Sequence, residues 1–113
     1  IIFSDPSNYI TQKDNAIYYL SGTTLYRRIL ESTDATDAAT TTCPPVNTTS
    51  SCPADKTIAT GVSSFAVSYY DADNNVVTPA NARSVQLAIT LTTKQNTQTI
   101  SASYSTRMVF RND

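Results

Sequence analysis

Val85, Leu87, Ile89 and Leu91 alternate with Ser84, Gln86, Ala88, Thr90 and Thr92. Successive side chains leave opposite faces of a strand, so this period of two predicts a half-buried strand over 83–93. The same alternation recurs on both sides of it. Phe65, Val67 and Tyr69 oppose Ser64, Ala66, Ser68 and Tyr70, which predicts a strand over 62–70. Ile100, Ala102, Tyr104, Met108 and Phe110 oppose Ser101, Ser103, Ser105 and Arg107, which predicts a last strand over 97–110. Asp71 to Asn75 and Lys94-Gln95-Asn96 read as the turns between them, since Asp and Asn bond nearby backbone and tolerate tight turns. One-sided apolar faces of this kind mark antiparallel sheet.

The first half carries shorter signals. Ala16 to Leu20 and Thr24 to Leu30 read as strands, with Ser21-Gly22-Thr23 between them as a hairpin tip. Tyr18, Tyr19 and Leu20 are expected to face Leu25, Tyr26 and Ile29. Ile1 to Phe3 and Tyr9 to Gln12 are weaker strand candidates, separated by the turn chemistry of Ser4-Asp5-Pro6-Ser7-Asn8 and followed by a turn at Lys13-Asp14-Asn15. Three short strands so close together suggest a meander. From Glu31 to Lys56 the periodicity vanishes into Thr, Ser, Ala, Asp and Pro. That stretch is expected to be loop, with room for a short helix around 34–39 capped by Ser32 or Thr33. Order resumes at 57–59. The fold class is mainly β: one antiparallel sheet, or two small packed ones, in a single domain over 1–113.

Composition narrows the function more than the fold. Charged residues make up 15% of the chain and net charge is −1. Phosphate binding needs clustered Lys and Arg, and Arg27-Arg28 is the one adjacent basic pair, so nucleic acid is not an expected partner. Histidine is absent from the sequence, which removes Ser-His-Asp and Cys-His catalysis and the usual zinc ligand sets. A carboxylate-only hydrolase would need two acids converging in a cleft, and the acids lie scattered through turn-like segments. No catalytic residue is expected.

Cys43 and Cys52 enclose a short polar loop rich in Pro, Thr and Ser. Such a loop has no core in which to hide free thiols, so a disulfide is expected, and with it an oxidising, extracytoplasmic compartment. Asp71, Asp73 and Asn75 place oxygens at alternate positions, as the start of a Ca²⁺ loop does. Val76 stands where an EF-hand needs Gly and Ala82 where it needs Glu, so only a looser calcium turn is open beside an ordinary hydrophilic turn. Asn47-Thr48-Thr49 matches the N-glycosylation pattern, a match that arises easily by chance in a Thr-rich chain. Seven tyrosines form two groups: Tyr9, Tyr18, Tyr19 and Tyr26 early, Tyr69, Tyr70 and Tyr104 late. They suit half-buried pleats, or an aromatic contact surface. Tyr18, Tyr19, Tyr26, Arg27 and Arg28 are the candidates for such a surface.

Ile17-Tyr18-Tyr19-Leu20-Ser21-Gly22-Thr23-Thr24-Leu25-Tyr26-Arg27-Arg28 resembles the hairpin of type IV pilin-like proteins, particularly minor pilins and type II secretion pseudopilins. Phe65 to Asp73, then Ala82 to Leu87, are similar to the later β-region of those proteins, and Tyr104 to Asn112 is similar to their C-terminal strand. The resemblance implies the β headgroup of a pilin-like α+β fold. Members carry an apolar N-terminal helix that anchors them in the membrane and packs the filament core. The chain begins Ile1-Ile2-Phe3 with no initiator Met, which reads as a cut just after such a helix. The implied function is structural, in a pilus, secretion or competence filament at the cell surface or in the periplasm. The implied partners are other pilin subunits, with a host or surface ligand as a further candidate and the membrane reached only through that helix. No cofactor is implied. A cell-surface adhesin or carbohydrate-binding β-sandwich is the rival reading.

Overall fold

A computed structural model describes residues 15–31 and 39–110. The strand candidates at 1–3 and 9–12, and all but the last residue of the helix candidate at 34–39, lie outside the described residues. The fold is mainly β, with six strands in two three-stranded antiparallel sheets. The chain divides into two compact units, residues 1–60 and 61–113.

The first unit holds β1 (Asn15–Ser21), β2 (Thr24–Leu30) and β3 (Lys56–Ala59), in that order across the sheet. Gly22, at φ +59°, makes the tight turn between β1 and β2, a backbone state that only glycine adopts without steric cost. Register sets Leu20 opposite Leu25 and Tyr19 opposite Tyr26, while Tyr18 faces Arg27 and Ile29 faces Ala16. Ala16, Leu25 and Ile29 are buried and lie on one face of the hairpin. The third strand of this sheet is β3, delivered from beyond the loop.

That loop is organised by hydrogen bonds, not by apolar packing. Thr42 N–H donates to Ile29 O, and Ile29 N–H donates to Thr42 Oγ1, tacking the loop to β2. Pro45–Asn47 form one 3₁₀ turn. The Cys43–Cys52 disulfide is formed. Beside it, Cys43 N–H donates to Pro53 O, and Asp55 N–H donates to Cys43 O.

The second unit holds β4 (Val62–Tyr70), β5 (Ser84–Gln95) and β6 (Gln98–Val109), with β5 central. All three match the alternating segments of the sequence. The tip between β5 and β6 is Asn96-Thr97, with Asn96 at φ +56°, one residue beyond the expected turn. Tyr69, Val85 and Met108 stand in one row across the sheet, as do Phe65, Ile89 and Tyr104. One face is therefore apolar from edge to edge. Only Val62 and Val85 of its apolar residues are fully buried.

Candidate contact surfaces

In the first unit the sequence candidates Tyr19 and Arg28 converge on Asp55, a residue that periodicity did not single out. Tyr19 Oη donates to Asp55 Oδ2 at 2.5 Å. Arg28 Nη2 donates to the same oxygen at 2.9 Å, and Arg28 Nε lies 3.1 and 3.2 Å from the two carboxylate oxygens. The Asp55 side chain is wholly buried and that of Arg28 is 26% exposed. Burial pushes the Asp55 carboxyl up, but the donors from Arg28, Tyr19 and Thr42 and the Arg28 charge outweigh it and hold the group below its ordinary value. The hydrogen bond to Asp55 raises the Tyr19 phenol, helped by burial. The hydrogen bond to Asp55 likewise raises Arg28. A carboxylate so fully engaged is not a free base. It fastens the end of the disulfide loop to the sheet.

The rest of the predicted aromatic surface is partly spent in the same way. The Tyr19 ring stacks on Tyr26 with centroids 5.4 Å apart, and Arg28 Cζ lies 5.1 Å from the Tyr19 centroid. Tyr18 and Arg27 are opposite one another on the face that carries the buried Ala16, Leu25 and Ile29. Arg27 Nε is buried and meets no hydrogen-bond acceptor among the described residues.

In the second unit the calcium candidates form a closed turn. Asp71 Oδ1 accepts from the N–H groups of Asp73 and Asn75, both at 2.9 Å, and Asn75 Nδ2 reaches Oδ2 at 3.2 Å. The Asn75 backbone donor, then its side chain, lower the Asp71 carboxyl below its usual value. Asn74 takes φ +70°, which presents its side-chain oxygen to Arg107 Nη1 at 2.5 Å. Arg107 Nε donates to the buried Ser84, and its guanidinium lies 4.0 Å from the Tyr70 ring centroid. Among the described residues no group of three or more Cys, Asp or Glu gathers as metal ligands.

The surface left most open among the described residues is the apolar face of the β4–β6 sheet along β6. Ile100 is 47% exposed, Tyr104 61% and Phe110 45%. The alternation predicts that these side chains share a face, and the structure shows that face largely open along β6. The opposite face is a hydroxyl lattice: Thr92 Oγ1 donates to Ser63 Oγ at 2.8 Å and lies 3.2 Å from Ser101 Oγ, and Thr90 and Ser103 hydroxyls meet at 3.0 Å.

No helix among the described residues is long and apolar enough to cross a membrane. No protein family, curated protein or solved structure matches the chain.

Proposed function

We infer that the chain is an assembly module, the β headgroup of a filament subunit of the minor pilin or pseudopilin kind, acting at the cell surface or in the periplasm through contacts with other subunits. The observation that carries this reading is the apolar face of the β4–β6 sheet, left open along β6. Monomers rarely leave large contiguous apolar patches uncovered, and a row of exposed apolar side chains on one strand face is in keeping with a surface used for contact. Two further features are in keeping with it. The Cys43–Cys52 bridge fits an oxidising compartment. The ionisable cluster at Asp55 is consumed in holding a loop in place, which leaves it no proton to move.

Immunogold electron microscopy with antibody against residues 1–113 tests the reading in the organism that carries the gene. Label running along surface filaments, and loss of those filaments on deletion of the gene, is the expected result. Label spread over the envelope with filaments intact in the deletion strain overturns it.

A further inference from the structure

Among the described residues, β6 is an edge strand with its outer side open. It pairs with β5 over its whole length, and no described strand lies beyond it. Phe110 N–H donates to Arg83 O at 2.8 Å, which fixes the phase of the ladder. Each residue of an antiparallel strand directs both backbone groups to one side, in alternation. The even-numbered residues of β6 therefore bond to β5. Those of Ser101, Ser103, Ser105 and Arg107 point away from it.

Exposed edges recruit other strands unless something blocks them, and proteins usually supply a block: a bulge, a proline, a charge or a covering segment. The other edge of this sheet has two. β4 carries a bulge between Val62 and Ser64, and Val76-Val77 fold back along Tyr69-Tyr70, with Val77 N–H donating to Tyr69 O. β6 has none. It runs twelve residues without proline or register shift. Its single charge, Arg107, is held by Ser84, Asn74 and Tyr70.

The sequence of β6 is also nearly symmetric about Tyr104. Four residues to either side stand Ile100 and Met108, and two residues to either side stand the small Ala102 and Thr106. We propose that β6 pairs with β6 of a second copy of this chain, antiparallel about a two-fold axis at Tyr104, joining two three-stranded sheets into one of six strands.

The register follows from the ladder. A two-fold axis places residues whose numbers sum to a constant even value opposite one another, so the apolar faces stay continuous. Centred on Tyr104, Ile100 meets the second copy's Met108 and Ala102 meets its Thr106, large against large and small against small. Ser103 and Ser105 exchange the backbone bonds that β5 leaves free. Arg107 faces Ser101, so no like charges oppose. The pairing stands apart from the filament reading, since two copies join in this way whether or not they enter a fibre.

Single cysteines read the register directly. Tyr104 faces its own copy at a non-hydrogen-bonded position, where α-carbons stand about 4.5 Å apart, a separation a disulfide spans. Tyr104 is exposed, so Tyr104→Cys leaves the fold of the unit in place. In the full chain with Cys43–Cys52 closed, Tyr104→Cys is expected to form a covalent dimer under mild oxidation. Ala102→Cys and Thr106→Cys are each expected to form no covalent dimer alone and to crosslink when mixed. The unsubstituted chain is expected to show a concentration-dependent monomer–dimer equilibrium in sedimentation. Monomer at every concentration overturns the proposal, and so does crosslinking of Ala102→Cys alone as fast as Tyr104→Cys.

Discussion

At the scale of single residues, Asp55 decides more than its neighbours. The Asp55 charge leaves water to form its pair with Arg28, and that cost is offset because the carboxylate also accepts from Tyr19 and Thr42. Removing one partner strands the other. Asp55→Asn is expected to lower stability by about 3 kcal/mol, the low end for a broken buried pair, because Arg28 keeps contact with water. Tyr19→Phe is expected to cost about 2 kcal/mol, since its hydroxyl donates to a buried carboxylate and also accepts from Arg28. Urea unfolding of the two variants measures both. The sign of the pH response follows from the lowered carboxyl. Asp55 holds its proton less tightly folded than unfolded, so its contribution is complete above the unfolded value of about 3.9 and is lost as pH falls through the lower folded value. The urea midpoint is expected to drop as the solution is acidified below about pH 4, and Asp55→Asn to flatten that drop. Asp71 is lowered too, so part of the acid slope survives in the variant. A slope unchanged by the substitution would remove Asp55 from the account.

At the scale of elements, the disulfide loop does what apolar packing does elsewhere in the chain. It has no buried apolar side chain among the described residues, and its path is set by Thr42, by the ladder around Cys43 and by the bridge itself. A sequence separation of 9 makes a crosslink worth about 2–3 kcal/mol by chain entropy. Reduction is expected to cost that much, read from the shift in urea midpoint with and without dithiothreitol. Because Cys43 O receives the Asp55 N–H, reduction and Asp55→Asn act on one arrangement, so the two losses together are expected to fall short of their sum. The contrast in legibility has the same origin. β4, β5 and β6 follow from alternation because each packs its apolar residues to one side. β3 does not, because a four-residue strand of Lys, Thr, Ile and Ala carries too little pattern. The Asp55 cluster was half visible: Tyr19 and Arg28 stood out as an aromatic and a basic pair, while their partner lies 36 and 27 residues away. Only the fold supplies that contact. The β5–β6 tip shifted by one residue because Asn96, not Gln95, tolerates positive φ at the turn.

At the scale of the whole chain, charge is scarce, and so, among the described residues, is core. Ala16, Leu25 and Ile29 are the buried apolar residues described in the first unit, Val62 and Val85 those in the second. Eight basic and nine acidic residues leave a net charge of −1, so copies of the chain neither repel nor steer one another strongly. The single charge on β6 is occupied within its own unit. Association through β6 therefore rests on backbone bonds and apolar contact, and these have a distinct salt signature. Raising sodium chloride from 0.01 to 1 M shortens the Debye length from about 30 to about 3 Å, which erases attraction between exposed charges and leaves apolar contact in place. The dimer dissociation constant from sedimentation equilibrium is expected to hold steady or fall across that range, and to fall further in sulfate, which favours apolar burial. Tyr104→Lys sets two ammonium groups face to face on the axis, so it is expected to abolish the dimer at low salt and to regain part of it at high salt. A native dimer that dissolves as sodium chloride rises would instead be held by charge, and the exposed face of β6 would not be what joins the copies.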